Sequence, residues 1–427
     1  MHNCDITIEN ISKTEGHAGL DVKVRKGVVK DVRFKILENK RFYTQAIRGK
    51  NFLAAPQLMS RICGTCSIAH LLCCIESIEN ALEVKESEQT KLLKTLAMNG
   101  LMIRDHSLHL YMFSLPDVIG KDSILDFDEK NSFEHELLHD CFSVKGAGNN
   151  LTKLIAGRSV HAPFPSVGGF NKLPDPKLFP EMVKELKAQR EKVLKLIDIY
   201  FKCDFDFSRK TNFVAITNKD YDFRQGNLCS STGVCVPEGK MEDHLEHVVL
   251  PYSQASGYKF EGKEFMVGAL SRMNLNKQSL NKETKKDVSK YLKKFPSNNI
   301  YDNNLAQAIE VLHCIDSSIS ILESFEPKPE PKPVITPKKS TGIGVIEAPR
   351  GTLFYKVELD EKGIIKKGKV VVPTGQNQIN IEKDVAVIVQ KNLDETKESI
   401  QFEIEKLIRA YDPCMSCAAH FLKINWL

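Results

Sequence analysis

The sequence has no long uninterrupted apolar run. Its longest runs are short and broken by charge, so no segment is expected to span a bilayer. Its first ten residues, MHNCDITIEN, have neither the basic nor the apolar stretch of a secretory signal. Net charge is also small: 60 Lys and Arg against 55 Asp and Glu leave +5, with both signs spread along 427 residues. So small an excess does not argue for nucleic acid, and neither an aromatic–basic RNA-binding pattern nor a basic tail is present. There are no internal repeats and no ferredoxin-type cysteine run to hold an iron–sulfur cluster. What remains is an ordinary globular composition, 42% hydrophobic and 27% charged, long enough for one large core or a few smaller ones. The expected location is the cytoplasm.

What the sequence does have is cysteine, twelve in all. Reducing conditions keep thiols free, so clustered cysteines there are metal ligands or redox groups rather than disulfides. Only Cys63–Cys66 and Cys414–Cys417 show the C-x-x-C spacing. Cys73 and Cys74 fall on an apolar helical stretch and read as core. Cys4, Cys141, Cys203, Cys229, Cys235 and Cys314 have no partner spacing and read as small buried hydrophobes.

Residues 5 to 37 alternate in polarity, and VKVRKGVVKDVRF reads as two strands around a Lys-Gly turn. From 68 to 115, apolar residues recur at three-and-four spacing and predict two buried helices. A third helix is predicted over 174 to 202, entered through clustered prolines, and another over 304 to 325. Residues 212 to 270 read as strands and loops. EPKPEPKPVITPKK (326 to 339) reads as an extended surface connection to a last β-rich segment. ESIQFEIEKLIRAYDPC reads as a final helix stopped at Asp412-Pro413. The expected class is α+β: a mostly α-helical bundle core with small N-terminal and C-terminal β segments. The expected divisions are an N-terminal β segment at 1–50, a helical core at 51–325 with a β/loop insertion near 205–275, and a C-terminal β segment and helix at 340–427.

Each C-x-x-C can place two sulfurs on one metal, because the pair brackets a tight turn near a helix end. Three chemistries fit the spacing alone. One is a structural zinc site with four cysteines, although such sites usually draw their ligands from one compact module. Another is a different thiolate-bound metal, assembled only when the whole chain folds. The last is a thiol–disulfide motif, which calls for one pair beside a redox fold rather than two.

The flanks of the pairs carry a resemblance. RICGTCSIAH (61 to 70) resembles the R-x-C-G-x-C-x-x-x-H signature of nickel–iron hydrogenase large subunits, and DPCMSCAAH (412 to 420) resembles their D-P-C-x-x-C-x-x-H. TEGH (14 to 17) resembles R-x-E-G-H, with Thr14 where Arg is common. RDHSLHLYMFSLPD (104 to 117), GRSVHAPFPSVGGF (157 to 170) and VGALSRMNL (267 to 275) have counterparts in the family. IEAPRGTLFY (346 to 355) and VVPTGQN (371 to 377) resemble E-A-P-R-G-x-L and P-T-x-x-N. These segments stand in the family's order and span nearly the whole chain.

The resemblance implies four thiolates holding nickel. Cys63 and Cys414 would be terminal on it, and Cys66 and Cys417 would bridge to an iron carrying cyanide and carbon monoxide installed by maturation proteins. The implied reaction is H2 ⇌ 2H+ + 2e−. Cys414 would take the proton and Glu15 would carry it onward. Arg350 would lie over the iron's diatomic ligands, oriented by Asp412, and Thr374 would donate to cyanide. His70 would donate toward a bridging sulfur. Read without the resemblance, Glu15 is a turn residue beside Gly16, Arg350 a turn salt bridge, Thr374 a turn hydroxyl and His70 a packed core residue. His106, His109, Arg158 and His161 read as structural or proton-network residues.

Two departures stand out. Many members carry a Glu that helps hold magnesium near the C-terminal motif histidine, here His420. The aligned segment RFYTQ (41 to 45) puts Thr44 there, and a neutral hydroxyl is a poor ligand for a hard cation. The segment after His420, FLKINWL, is only seven residues, either a short tail awaiting cleavage or an apolar end that packs in place. With no iron–sulfur wire of its own, the chain is expected to pass electrons to an iron–sulfur small subunit, and from there to further electron-transfer subunits. The alternatives are a non-catalytic redox-complex scaffold of the same fold, whose cysteines hold zinc or nothing, and a hydrogen-sensing subunit.

Overall fold

The N-terminal alternation forms a three-stranded antiparallel sheet in the computed structural model, which describes residues 3–39 and 42–419. Strands Asn3–Ile8, Ala18–Arg25 and Val28–Ile36 pair in chain order. Lys26 and Gly27, both at positive φ, make the turn that the Lys-Gly pair predicts. One face buries Leu20, Val22, Val24, Phe34 and Ile36. The helix Pro373–Lys391 lies along the last strand and satisfies its free backbone groups. Gln378 donates to Phe34 O at 2.8 Å, and Glu382 accepts from Phe34 N–H at 3.0 Å.

The helix Ser67–Leu82 is buried on every side, with only Asn80 exposed. Such a helix belongs at the centre of a core. Against it runs the hairpin of Ser340–Ala348 and Gly351–Leu359, continued by Ile365–Val371 in one antiparallel sheet. Glu88–Ser107 runs on through a π-helical stretch, Leu108–Ser114, into Leu115–Val118. π-Helical turns concentrate at functional sites. Asp302–Ser324 is long and apolar enough to cross a membrane by length and composition alone. It is instead a core helix, with most of its surface buried inside the protein.

The class is mixed α and β, with β structure at both ends and also in the 212 to 270 stretch read as strands and loops. A four-stranded sheet of Phe265–Met266, Asn212–Thr217, Asn227–Ser230 and Cys235–Pro237 lies in mid-chain, with its first pair parallel. The predicted helix over 174 to 202 is two, Phe179–Lys187 and Arg190–Lys202. The break is held by Gln189, whose side chain bonds Glu185 O and the Ser143 hydroxyl instead of facing solvent. Among the described residues, two long helices have no counterpart in the sequence reading, Ser132–Ala156 and Pro373–Lys391. The second buries Gln376, Asn377, Gln378 and Asn380, whose polarity hides the helical period until tertiary hydrogen bonds satisfy them. Cys229 and Cys235 are not independent hydrophobes. They stand opposite each other in the Asn227–Ser230/Cys235–Pro237 hairpin and are bonded as a disulfide.

Candidate metal centre

Four cysteines from the two ends of the chain meet in the interior. Cys63 follows the Ser60–Ile62 turn in extended conformation, and Cys66 caps the N-terminus of Ser67–Leu82, where the helix dipole favours a thiolate. Cys414 stands just after the Lys397–Ala410 helix, and Cys417 lies in the short Met415–Ala418 helix. The sulfurs of Cys63 and Cys414 are 3.5 Å apart, those of Cys66 and Cys417 3.1 Å, and those of Cys414 and Cys417 2.7 Å. All four ligand atoms lie within 4.8 Å of one another, and all four residues are buried.

The surrounding chain holds these loops in place. Arg104 donates to the carbonyls of Thr65 and Ser159, tying the first thiol loop to the next segment. Thr374, in the first turn of Pro373–Lys391, accepts the Cys414 N–H at 2.9 Å. Glu15 O accepts from Met415 N–H at 2.9 Å, and its carboxylate accepts from Ser416 N–H at 3.1 Å. The N-terminal TEGH segment is thereby zipped to the second thiol loop.

Gly16 makes that approach possible. Its φ is +84°, and a Cβ there would stand 2.8 Å from the Met415 Cβ. Gly16→Ala is expected to cost about 1–3 kcal/mol through strain and overlap. The check is the urea midpoint together with the metal content of the purified chain. A midpoint and metal content both equal to the parent's would show that the zip is not needed.

The electrostatics of the sulfurs are those of a set waiting for a cation. The Cys63 thiol titrates well below its ordinary range because Cys414, Cys417 and Cys66 all donate toward its sulfur. Cys66 is displaced to about 11: the Cys414 and Cys417 thiols favour its charged form, but Cys63 and burial outweigh them. Burial, then the neighbouring thiols, pushes Cys414 well up; burial pushes Cys417 well up too, with Cys63 and Cys66 adding to it against the opposing Cys414 thiol. One sulfur ionises readily and three resist. A bound cation removes that resistance, because it compensates each further thiolate.

A narrow cavity adjoins the cluster, lined by Cys66, His70, Arg350, Thr374, Cys414 and Cys417 among others. Arg350 Nη1 donates to Asp105 at 2.7 Å, and Nη2 lies 3.0 Å from Asp412 without hydrogen-bond alignment. Arg350 Nε therefore has no acceptor among the described residues, and Nη2 has its ion pair with Asp412 but no aligned hydrogen bond, although the side chain is buried. Unspent donors of a permanent cation beside a cavity call for an anionic or strongly accepting guest. Asp412, at φ +51°, is itself held by Gln307 Nε2 at 2.9 Å. His70 places Nδ1 2.7 Å from the Tyr355 hydroxyl and Nε2 3.5 Å from Cys417 Sγ. Burial raises Tyr355 well above its usual range, so it keeps its proton; in the tautomer in which the hydroxyl donates to Nδ1, Nε2–H faces the sulfur. Burial also lowers His70 to about 4, so the ring is neutral.

Every motif residue expected at the site that lies in the described part of the chain is thus within this one constellation. His420 lies outside the described residues, and Thr44 lines a surface cleft beside His247 and Lys369. His106 pairs with Glu310 at 2.9 Å, and His109 bridges Gln307 and Arg409 O at 2.6 and 2.8 Å. His161 Nδ1 donates to Ser60 O at 3.1 Å, while Arg158 is exposed. Asp105 is a site residue that the sequence reading does not find. It sits beside Arg104 in the RDHSLHLYMFSLPD segment, but nothing local says that it points at an arginine 245 residues later.

The sequence model of the family described as "Nickel-dependent hydrogenase" matches residues 41–162 and 229–420. The alpha chain of sulfhydrogenase 1 of Pyrococcus furiosus is 29% identical, over 98% of both chains. The alpha chain of sulfhydrogenase 2 of the same organism is 28% identical, over 98% of this chain and 100% of its own. Among solved structures, an NAD+-reducing NiFe-hydrogenase in the H2-reduced state has the same fold, with a TM-score of 0.80 at 22% identity over 98% of this chain and 99% of that one. The Ni-Fe-Se hydrogenase of D. vulgaris Hildenborough in the reduced state superposes with a TM-score of 0.79 at 20% identity, over 98% and 100%.

Proposed function

This chain belongs to the nickel-dependent hydrogenase family, and from that premise we propose that it is the catalytic large subunit of a nickel–iron hydrogenase, interconverting H2 with protons and electrons. The observation that carries the reading is the pairing of four buried sulfurs with a buried guanidinium that has donors unspent. A structural zinc site needs the sulfurs but has no use for the guanidinium.

Cys63 and Cys414 would hold the nickel, and Cys66 and Cys417 would serve both the nickel and the iron. Soft thiolates suit this metal pair. When bound, the centre, with cyanide and carbon monoxide on its iron, supplies the place where the H–H bond is polarised and broken. Cys414 Sγ holds the released proton. Glu15 passes it on: burial raises its carboxyl and the Cys63 charge raises it further, which suits a group that must take up as well as release a proton. Arg350, oriented by Asp105 and Asp412, would hold the centre's cyanides through the guanidinium donors these carboxylates leave free, Nε first. The Thr374 hydroxyl accepts from Cys414 N–H and keeps its own proton to donate. His70 donates from Nε2 toward Cys417.

The sulfhydrogenase relatives are named as alpha subunits, and the partner implied is a small subunit that takes the electrons. We assign that subunit iron–sulfur clusters, place further electron-transfer subunits beyond it and maturation proteins before it, and locate the chain in the cytoplasm. Infrared spectroscopy of the purified complex is the direct test. Bands of metal-bound cyanide and carbon monoxide, with equimolar nickel and iron, are expected; zinc without such bands would sink the reading.

A further inference from the structure

Arg272 touches none of the four cysteines, yet it grips the backbone from which Arg350 projects. It lies in the helix Ala269–Asn276 and is 2% exposed. Its Nε and Nη2 form a two-pronged pair with Glu310, both at 2.7 Å, and Nη1 donates to Glu347 at 2.9 Å. The remaining donors end on main-chain carbonyls: Nη1 on Ala348 O and Nη2 on Pro349 O, each at 3.1 Å. A guanidinium has five N–H donors, and here all are spent. These two carbonyls immediately precede Arg350, in the turn between Ser340–Ala348 and Gly351–Leu359. Without Arg272 they would be buried acceptors with that partner lost.

The anchor is itself built in. Glu310 also accepts from the Tyr221 hydroxyl at 2.8 Å and faces His106 at 2.9 Å. Glu347 accepts from Ile216 N–H at 2.8 Å and the Thr352 hydroxyl at 2.7 Å. The segment that leads into the Arg272 helix presses on the turn from the other side. At Gly351, φ +129°, a Cβ would stand 2.6 Å from Val267 Cγ2 and 2.8 Å from Gly268 N. The turn is held between this backbone contact and the planar fork of Arg272.

We propose that Arg272 is a positioning residue for the hydrogenase reaction: it sets the turn 348–351 and thereby the placement of the Arg350 guanidinium over the thiol cluster. The role deepens the function proposed above and rests on it. A lysine cannot replace the fork, because one ammonium cannot serve two carboxylates and two carbonyls in fixed directions.

The experiment is a double-substitution cycle in the assembled, metal-loaded complex with Arg272→Lys, Arg350→Lys and both. Arg272→Lys is expected to keep equimolar nickel and iron, to shift the cyanide infrared bands, and to lower kcat for H2 uptake at least about tenfold with KM changed less than about twofold. If Arg272 acts through Arg350, the double variant is no slower than Arg350→Lys alone, within about twofold. Unmoved bands, or losses that multiply, overturn the proposal. In the metal-free chain, amide exchange in peptides covering 346–353 is expected to speed up on Arg272→Lys; unchanged protection overturns the positioning role whatever the metal proves to be. Should Arg272→Lys fail to accumulate, Glu347→Gln weakens the Nη1 side alone. It is expected to shift the same bands and speed the same exchange to a smaller extent, and the absence of both effects overturns the proposal. Lack of cyanide bands in the unsubstituted complex would refute the hydrogenase reading separately.

Discussion

Cys414→Ser is expected to lower hydrogen uptake by the assembled complex on the order of 10³-fold or more, the scale seen when one member of a unit that acts together is removed. Cys414 has two tasks in the proposed site. Its sulfur is 2.7 Å from Cys417 and 3.5 Å from Cys63, so it belongs to the ligand set. It also stands at the junction with Glu15, whose carbonyl accepts the next residue's N–H. A serine oxygen is smaller and harder than sulfur, a poor ligand for a soft site, and its hydroxyl holds its proton too tightly to ionise and exchange it at neutral pH. The backbone is less affected, since the Cys414 N–H still reaches Thr374. The substituted chain should therefore fold and associate but take up less nickel. The measurement pairs gas-uptake rates with nickel and iron content. Uptake near the parent rate would remove Cys414 from the ligand set.

Glu15→Gln separates proton traffic from metal binding. The amide oxygen can still accept from Ser416 N–H, where the carboxylate now accepts at 3.1 Å, so the zip between the two ends of the chain survives. What is lost is a group that can gain and release a proton, and positioned acid–base groups contribute roughly 10²–10⁴-fold. Isotope exchange between H2 and heavy water is expected to fall by about that factor, with nickel, iron and the infrared bands unchanged. If the variant instead loses its metal, Glu15 is a structural residue of the second thiol loop. Exchange at the parent rate with metal retained would show that the proton leaves by another route.

The legibility of the site follows from how local each signal is. The four ligating cysteines are readable because C-x-x-C brackets a turn by itself, and Cys66 does cap a helix. Glu15, Arg350, Thr374 and Asp412 carry no such local signature; they stand out only through the motifs around them. Asp105, Arg272 and Glu347 fall inside family-like segments and Glu310 does not, but the role of none of them is legible along the chain. Buried and charged, they gain meaning only once their distant partners are in place. The same reason hides the Pro373–Lys391 helix, whose polar residues look solvent-facing until they bond to neighbouring backbone. The Cys229–Cys235 pair escapes the sequence reading because a strand register, not a spacing, sets the two residues opposite.

By itself, the sequence determined the elements whose rules are short-ranged: the Lys26-Gly27 hairpin, the buried period of Ser67–Leu82, the extended Pro-rich crossing and the two thiol turns. Those depend on backbone dihedrals and on apolar residues a few positions apart. Only the tertiary structure decided that the two thiol turns share one centre, that Arg350 has donors to spare and that Arg272 holds its turn. Each of these is an interaction between segments far apart in the chain. Burial makes an unpaired charge or carbonyl so costly that such partners must be found, yet no spacing along the chain says where.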